Sequence, residues 1–439
     1  MTPDPREQRR FAVEVLGRLR DAGHVAYWAG GCVRDELLGR TPKDYDVATS
    51  ARPEQTRELF GRRRTLAVGE AFGVIVVIGT KETGTVEVTT FRRDATYSDG
   101  RRPDAVHFTD AEEDARRRDF TINALFFDPL NDRVLDYVDG RSDLRRGLIR
   151  AVGDPAQRFQ EDKLRMLRAV RMAARFGFTI DPATFAAVQS SAADINIVSP
   201  ERIAQEFRGM FGVPGQAMAA GLLMSTGLAA AIVPELTPSA GGAASDDVAT
   251  RWSRTLAVLE TLERRRVASF AVALAALLHE VGAGPNVAPR AACAAAAEAA
   301  AAVARRLRLS NDEREHAVWL LGRRCELTDA ARRPWSEVQP LLAHRWGPDL
   351  VTFEEAVVEA RHGVDDDLEF ARDKLALPRH LLDPQPLVDG NDLRRLAIPP
   401  GPEFARLLQA VRRAQLDGAV VDHAGAVEWV RRLRSNDSA

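Results

Sequence analysis

Two runs near the start of the 439-residue chain, Trp28-Ala-Gly-Gly-Cys-Val-Arg-Asp35 and Lys43-Asp-Tyr-Asp-Val-Ala-Thr49, carry groups suited to phosphate chemistry. Gly30 and Gly31 stand between a strand-like stretch, Val25 to Ala29, and a stretch with helical spacing, Val33 to Leu38. Such a turn lets the backbone approach a ligand closely, and the helix N-terminus behind it favours a polyphosphate. Arg34 and Lys43 add charge, with neither a Gly-x-Gly-x-x-Gly nor a Walker lysine motif present. Asp44 and Asp46 are spaced to share one face of a strand. Carboxylates that close repel each other unless a cation lies between them, and hard oxygen donors suit Mg²⁺. An isolated Asp-x-Asp is more often a solvated turn than a metal site; the glycine turn upstream is what raises its weight.

A third carboxylate, Glu87, alternates with Val86 and Val88, which fits the polar face of a neighbouring strand as well as it fits a plain exposed strand Glu. Further along, Arg158-Phe-Gln-Glu-Asp-Lys-Leu-Arg-Met-Leu-Arg-Ala-Val-Arg171 has helical spacing, with Leu164, Leu167, Val170 and Ala174 on one apolar face. Asp162, Arg165 and Arg168 follow one another at i,i+3 on another face. An Asp beside an Arg offers one acceptor and a fork of donors. That set complements cytosine and adenine, which both present an amino group beside ring acceptors, and repels guanine and uracil, which present a carbonyl there. Taken alone, the spacing is equally that of a surface salt bridge, worth a few tenths of a kcal/mol.

These groups need a scaffold. Strand signals at Val74 to Ile78 and Val86 to Phe91, with an amphipathic helix over Phe11 to Leu19, confine β-structure to the first 147 or so residues. From about Pro155 the pattern is helical, broken at Pro182, Pro200, Pro214 and Pro234, at the 239–245 loop and in the Pro/Gly-rich segment 384–402. The fold class is therefore α+β, a mixed head followed by an all-α remainder. The alanine-rich stretch Ala291 to Ala304 favours helix and carries no chemistry.

The run from Gly30 to Asp46, Gly-Gly-x-Val-Arg-Asp-x-Leu-Leu-Gly-Arg-x-x-x-Asp-x-Asp, resembles the signature of class II tRNA nucleotidyltransferases and the related bacterial poly(A) polymerases. Arg116-Arg-Arg-Asp-Phe-Thr-Ile-Asn-Ala124 resembles a second motif of that family, and Glu161-Asp-x-x-Arg165 a third. The resemblance implies a polymerase-β-like head at 1–147, a base-reading neck at 148–213, a helical body at 214–380 and a tRNA-binding tail at 381–439. It implies Asp44, Asp46 and Glu87 as catalytic carboxylates, with Mg²⁺ on Asp44 and Asp46. Nucleotide contacts fall to Gly30, Gly31, Arg34, Arg118, Asp162, Arg165, Arg168 and Arg171, the last two serving phosphates or bracing the base readers. Asp119 would brace its turn. Asp99 to Pro103 matches a loop that the family links to adding the terminal A, which counts against a CC-only enzyme. Asp136 to Leu144 resembles a hinge-like motif, with Arg141 in place of the usual second Gly, and Ser199 to Ile203 with Glu206 is expected to buttress the neck. The implied activity is template-independent addition of CCA to tRNA 3′ ends from CTP and ATP, with release of pyrophosphate. Sibling alternatives are an A-adding specialist or a poly(A) polymerase; an inactive RNA-binding protein is a third. His279-Glu280 is reminiscent of a His-Asp phosphohydrolase motif, but Glu replaces Asp and no histidine cluster surrounds it, so hydrolysis is not expected.

Composition sets the outer bounds. At 45% hydrophobic and 28% charged residues the chain is globular, and its net charge of −2 leaves nucleic-acid binding to local patches such as Arg158 to Arg175, with six basic residues against two acidic. Cys32, Cys293 and Cys325 show no paired spacing, which argues for a reducing compartment and against a disulfide or zinc site. No apolar run is long enough for a membrane span and the N-terminus is unlike a signal peptide, so the expected location is the cytoplasm.

Overall fold

The computed structural model describes residues 4–69, 72–94, 106–212, 214–237, 245–284 and 286–437; the loop signature at 99–103 lies outside the described residues. The chain forms two compact units, Met1–Thr237 and Pro238–Ala439.

In the first unit, β1 (Ala26–Ala29), β2 (Asp46–Thr49), β3 (Thr65–Gly69), β4 (Val74–Ile78) and β5 (Thr85–Thr90) are followed by a two-stranded pair, β6 (Arg92–Asp94) with β7 (Val106–Phe108), and then by β8 (Phe126–Asp128) and β9 (Arg133–Leu135). Seven of these build one mixed sheet in the order β3-β4-β5-β2-β1-β8-β9. Alternation explains β5: Val86, Val88 and Thr90 are buried while Thr85 and Glu87 are exposed. The β2–β5 pair is parallel and sets Asp46 opposite Glu87, whereas β1 runs antiparallel to β2.

Helix α1 (Pro5–Asp21) starts where Asp4 accepts the Arg6 and Glu7 N–H groups and ends with Arg18 and Arg20, an arrangement that suits both caps and dipole. It buries Phe11, Val15, Leu16 and Leu19. Next come α2 (Gly31–Leu37), α3 (Pro53–Phe60), α4 (Ala111–Arg116), α5 (Gly140–Arg146), α6 (Pro155–Glu161), α7 (Leu164–Phe176), α8 (Pro182–Ser191) and α9 (Pro200–Phe211). The apolar face read from the spacing of α7 is buried, and Ala169, Met172, Ala173 and Phe176 join Trp28, Val33, Val47 and Phe120 in one core. Each large side chain buried there contributes on the order of 1.5–3 kcal/mol, so α7 is anchored to the sheet rather than hung from it. Strand β10 (Leu148–Ile149) pairs in parallel with β11 (Thr179–Ile180), tying the start of the expected neck to the segment after α7. Asp136 accepts N–H groups from Val138, Gly140 and Arg141, and a Cβ on Gly140 would lie 2.2 Å from the Thr121 carbonyl oxygen. This hinge-like motif is thus a tight buttress under the turn at Thr121.

The second unit is helical. The alanine-rich helix Pro289–Arg306 packs against Asn311–Arg323, whose Ser310 and Glu313 form a capping box. The cysteine reading needs correction: Cys293 and Cys325 are joined by a disulfide across 32 residues of sequence, and Cys32 alone is free and buried. Sequence spacing missed the pair because the helix and the turn Arg324–Glu326 meet only through tertiary packing. His279 and Glu280 are both buried. Although burial would raise the Glu280 carboxyl, His279, Arg361 and Arg254 bring it down to about 2, and Arg361 donates to it at 2.9 Å. They belong to the packing of this unit. A separate apolar cluster, built on Leu393, Leu407, Val411 and Val430, holds the last two helices, Pro402–Leu416 and His423–Asp437. Among the described residues no helix is long and apolar enough to cross a membrane.

Candidate active site

A cavity of about 550 Å³ opens in the first unit, lined from the Gly30-Gly31 turn, the edge residues Asp46 of β2 and Glu87 of β5, the turn Arg117–Asn123, and Asp162, Arg165, Arg168 and Arg202. Gly30 sits at φ +76, and a Cβ there would come 2.9 Å from Arg118 Nη1. Glycine is therefore required twice over, by backbone conformation and by the guanidinium packed on it. The helix that follows is only seven residues long, so its dipole adds little and the arginines supply most of the positive field.

Asp46 opens β2 and pairs in register with Glu87. Its carboxyl is pushed up to about 7 by burial, then by Glu87 and Asp44, with Arg118 pulling the other way. Asp44 departs from expectation. It lies before the strand, exposed and not lining the cavity, with buried Tyr45 between it and Asp46. Tyr45 is fixed by Trp28, ring centroids 4.7 Å apart, and by its hydroxyl donating to Glu36 at 2.7 Å. Among the described residues no group of three or more His, Cys, Asp or Glu side chains is arranged to hold a metal ion by itself.

The cationic wall is ordered by buried acids. Asp114 takes Arg117 at 2.7 Å and Arg118 at 3.0 Å. Asp119 accepts Phe120 N–H at 2.8 Å, Asn123 Nδ2 at 3.1 Å and Arg168 at 2.6 Å. Burial would raise the Asp119 carboxyl, yet Arg168, Asn123 and Arg165 hold it far below the usual carboxylate range. Arg34 is buried with Asp35 at 2.7 Å and Asn123 Oδ1 at 2.6 Å, and it lies over the Phe176 ring. It reaches the cavity wall but its donors are largely spent on the fold.

The expected helical pairing of Asp162 with Arg165 is corrected by the structure. Asp162 is extended backbone between α6 and α7, where Oδ1 accepts Leu164 N–H at 3.0 Å and Oδ2 pairs with Arg202 at 2.7 Å. Arg165 pairs instead with Glu161 at 2.6 Å. Both still line the cavity, Asp162 held by Arg202 and Arg165 by Glu161, so an acceptor and a donor fork belong to the same wall. Arg171 is not among the lining residues and pairs with Glu206 of α9 at 2.6 Å, which makes it a brace. The basic patch is likewise spent internally: Arg158 pairs with Glu161 and Lys163 with Asp194.

The structure thus brings together Gly30, Gly31, Arg34, Asp46, Glu87, Arg118, Asp162, Arg165 and Arg168, and leaves Asp44 and Arg171 off the wall. Sequence reasoning gave Asn123, Asp114 and Arg202 no part in this site. Asp114 carried a signal, its i,i+3 and i,i+4 spacing to Arg117 and Arg118. Nothing local links Arg202 to Asp162.

Comparison with known proteins gives matches in this region. Residues 26–150 match the family described as Poly A polymerase head domain, and residues 177–239 the one described as Probable RNA and SrmB- binding site of polymerase A. The CCA-adding enzyme of Limosilactobacillus fermentum is 47% identical over 195 residues, covering 44% of this chain and 47% of that protein. That of Bacillus subtilis is 47% identical over 197 residues, covering 45% and 48%. The chain therefore spans about half the length of the curated relatives it matches. The crystal structure of the Bacillus stearothermophilus CCA-adding enzyme in complex with CTP aligns over 100% of both chains, with 30% identity and a TM-score of 0.74. The Thermotoga maritima CCA-adding enzyme complexed with tRNA shares the fold, at 19% identity and a TM-score of 0.66 over 96% of this chain and 94% of that one.

Proposed function

Because the chain belongs to the CCA-adding enzyme family, we propose that it adds C, C and A to tRNA 3′ ends from CTP and ATP, releasing pyrophosphate at each step. The observation that carries this reading is the single cavity holding both the Asp46–Glu87 pair and the Asp162/Arg165 pair. A nucleoside triphosphate seated there would have its phosphates beside the glycine turn and Arg118, and its base toward Asp162 and Arg165. Asp162 accepts from the exocyclic amino group of cytosine or adenine, while Arg165 donates to the adjacent ring acceptors. Guanine and uracil turn a carbonyl toward Asp162. Arg202 and Glu161 hold the two readers in place, Asn123 ties Asp119 to Arg34, and Arg168 adds charge near the phosphates.

The carboxylate set fits a divalent cation. Asp46, crowded by Glu87 and Asp44 in a poorly hydrated site, is destabilised as an anion, and a bound cation relieves that cost. Asp46 and Glu87 of the cavity wall would hold Mg²⁺, with Asp44, off the wall but near enough for its charge to act on Asp46, as the further carboxylate and the remaining positions filled by substrate oxygens. Once bound, the metal lowers the barrier by neutralising charge on the phosphates and acidifying the attacking hydroxyl. The tRNA 3′ hydroxyl gives its proton to solvent as its oxygen bonds to the α-phosphorus, the bond from the α-phosphorus to the α–β bridging oxygen breaks, and pyrophosphate leaves with that oxygen. We keep the finer division into head, neck, body and tail, with tRNA on the helical part, and the cytoplasmic location, as elements of the same proposal.

One assay tests it. Three RNAs are supplied, namely tRNA ending at the discriminator base, tRNA ending in CC, and an unrelated RNA, with labelled CTP or ATP, and the products are sequenced. Ordered CCA on the first and a single A on the second are expected. Addition of A only to the second, or long A tails on all three, overturns the reading.

A further inference from the structure

We infer that Asp114, a buried carboxylate on α4 outside the cavity lining, is the positioning residue that fixes the cationic wall of the cavity. The inference rests on reading that cavity as the nucleotide site. Asp114 is fully shielded from solvent. Its Oδ1 takes Arg117 Nε and Nη2 at 2.9 and 2.7 Å, and its Oδ2 takes Arg118 Nε and Nη2 at 3.2 and 3.0 Å. Oδ1 also accepts the Arg92 backbone N–H at 3.2 Å. Arg92, Arg117 and Arg118 all line the cavity, so one hidden anion organises three residues of its wall.

The arrangement has a purpose beyond packing. Asp46, which lines the same cavity, already feels the Arg118 charge. Without a competing anion, the Arg118 guanidinium would be drawn toward Asp46 and Glu87, blocking the metal-ready carboxylates and vacating the phosphate position. Asp114 holds the Nε/Nη2 edge back, leaving Nη1 against the Gly30 turn, where it donates to the Asn123 carbonyl at 3.3 Å. The local geometry costs little, because Asp114 reaches Arg117 and Arg118 at i,i+3 and i,i+4 from a helix whose start is capped by Asp110. Burial raises the Asp114 carboxyl, but Arg118 and Arg117 more than offset this and keep it below the usual range.

The test is titration of the full-length chain with CTP and with inorganic triphosphate, alongside steady-state kinetics with tRNA. Asp114→Asn should weaken binding of both anions by roughly 10-fold or more and raise KM for CTP more than it lowers kcat. Asp114→Glu should recover part of the loss. Because Asp114 acts largely through Arg118, Asp114→Asn costs clearly less in the Arg118→Gln background than in wild type, the remainder being what it does through Arg117. Thermal unfolding of each variant is followed in parallel, and Arg118→Lys, which keeps the charge but loses the fork, reports the same wall if Asp114→Asn folds poorly. Unchanged triphosphate binding in Asp114→Asn, or additive losses in the double variant, overturns the inference. Failure of the wild-type chain to extend tRNA would instead sink the proposed activity, since the triphosphate titration stands without turnover.

Discussion

Replacing Asp119 with Asn removes one charge and almost no volume, and so isolates the ion pair that joins the Arg117–Asn123 turn to α7. The pair is short, 2.6 Å, but uneven: the Asp119 side chain is 11% exposed and that of Arg168 37%. Breaking a fully buried pair costs about 3–5 kcal/mol and an exposed one about 0–1, so a pair with one buried and one partly exposed member should lose about 2 kcal/mol. For a unit of this size that is a fall of roughly 4–8 °C in Tm. The pH dependence has a definite sign. The folded carboxyl is depressed below its ordinary 3.8, so its contribution is present above that value and is lost as pH falls toward the lower folded one. Calorimetry of wild type and Asp119→Asn should therefore show a constant gap between about pH 8 and 5 that narrows below about pH 4. Because Arg168 lines the cavity, CTP binding should weaken in step. A Tm shift under about 1 °C at neutral pH, or a gap that changes between pH 8 and 5, would refute the reasoning.

Three further outcomes follow from the same geometry. Asp46→Asn removes a buried anion that Glu87 and Asp44 oppose, so it should keep or raise Tm at neutral pH while cutting nucleotide incorporation on the order of 100-fold or more; a loss of both would mean that Asp46 is structural. Arg202→Ala frees the Asp162 carboxylate and should raise KM for both CTP and ATP about 10-fold, measured by steady-state incorporation, with an unchanged KM counting against the role of Arg202 as a support for the base reader. Cys325→Ser opens a covalent loop spanning 32 residues and should destabilise the second unit by about 3–4 kcal/mol on the chain-entropy estimate; wild type treated with a thiol reductant should unfold like the variant, and identical unfolding with and without reductant would show that the bond does not form in solution.

The sequence alone determined the chemistry of the cavity-facing residues. Gly30-Gly31, Asp46, Glu87, Asp162 and Arg165 could be read because their function depends on residue type, and because strand alternation and the apolar face of α7 fix which side each stretch buries. Periodicity is a local property, so it survives without coordinates. What it could not supply is who holds whom. The i,i+3 reading placed Asp162 and Arg165 on one helix, but α7 begins only at Leu164, and Asp162 finds Arg202, 40 residues on, through the packing of α9. The alternation argument put Asp44 and Asp46 on one strand, yet β2 starts at Asp46, paired with Glu87 of β5, 41 residues further along the sequence. Arg171, whose charge left open whether it served phosphates or braced the base readers, pairs with Glu206 across the packing of α7 and α9. The two cysteines that spacing left unrelated are joined because two segments of the second unit pack together. Side-chain chemistry is written residue by residue, whereas the partner of each buried charge is set by long-range burial, since a desolvated ion must find its counter-ion wherever the core brings one within reach.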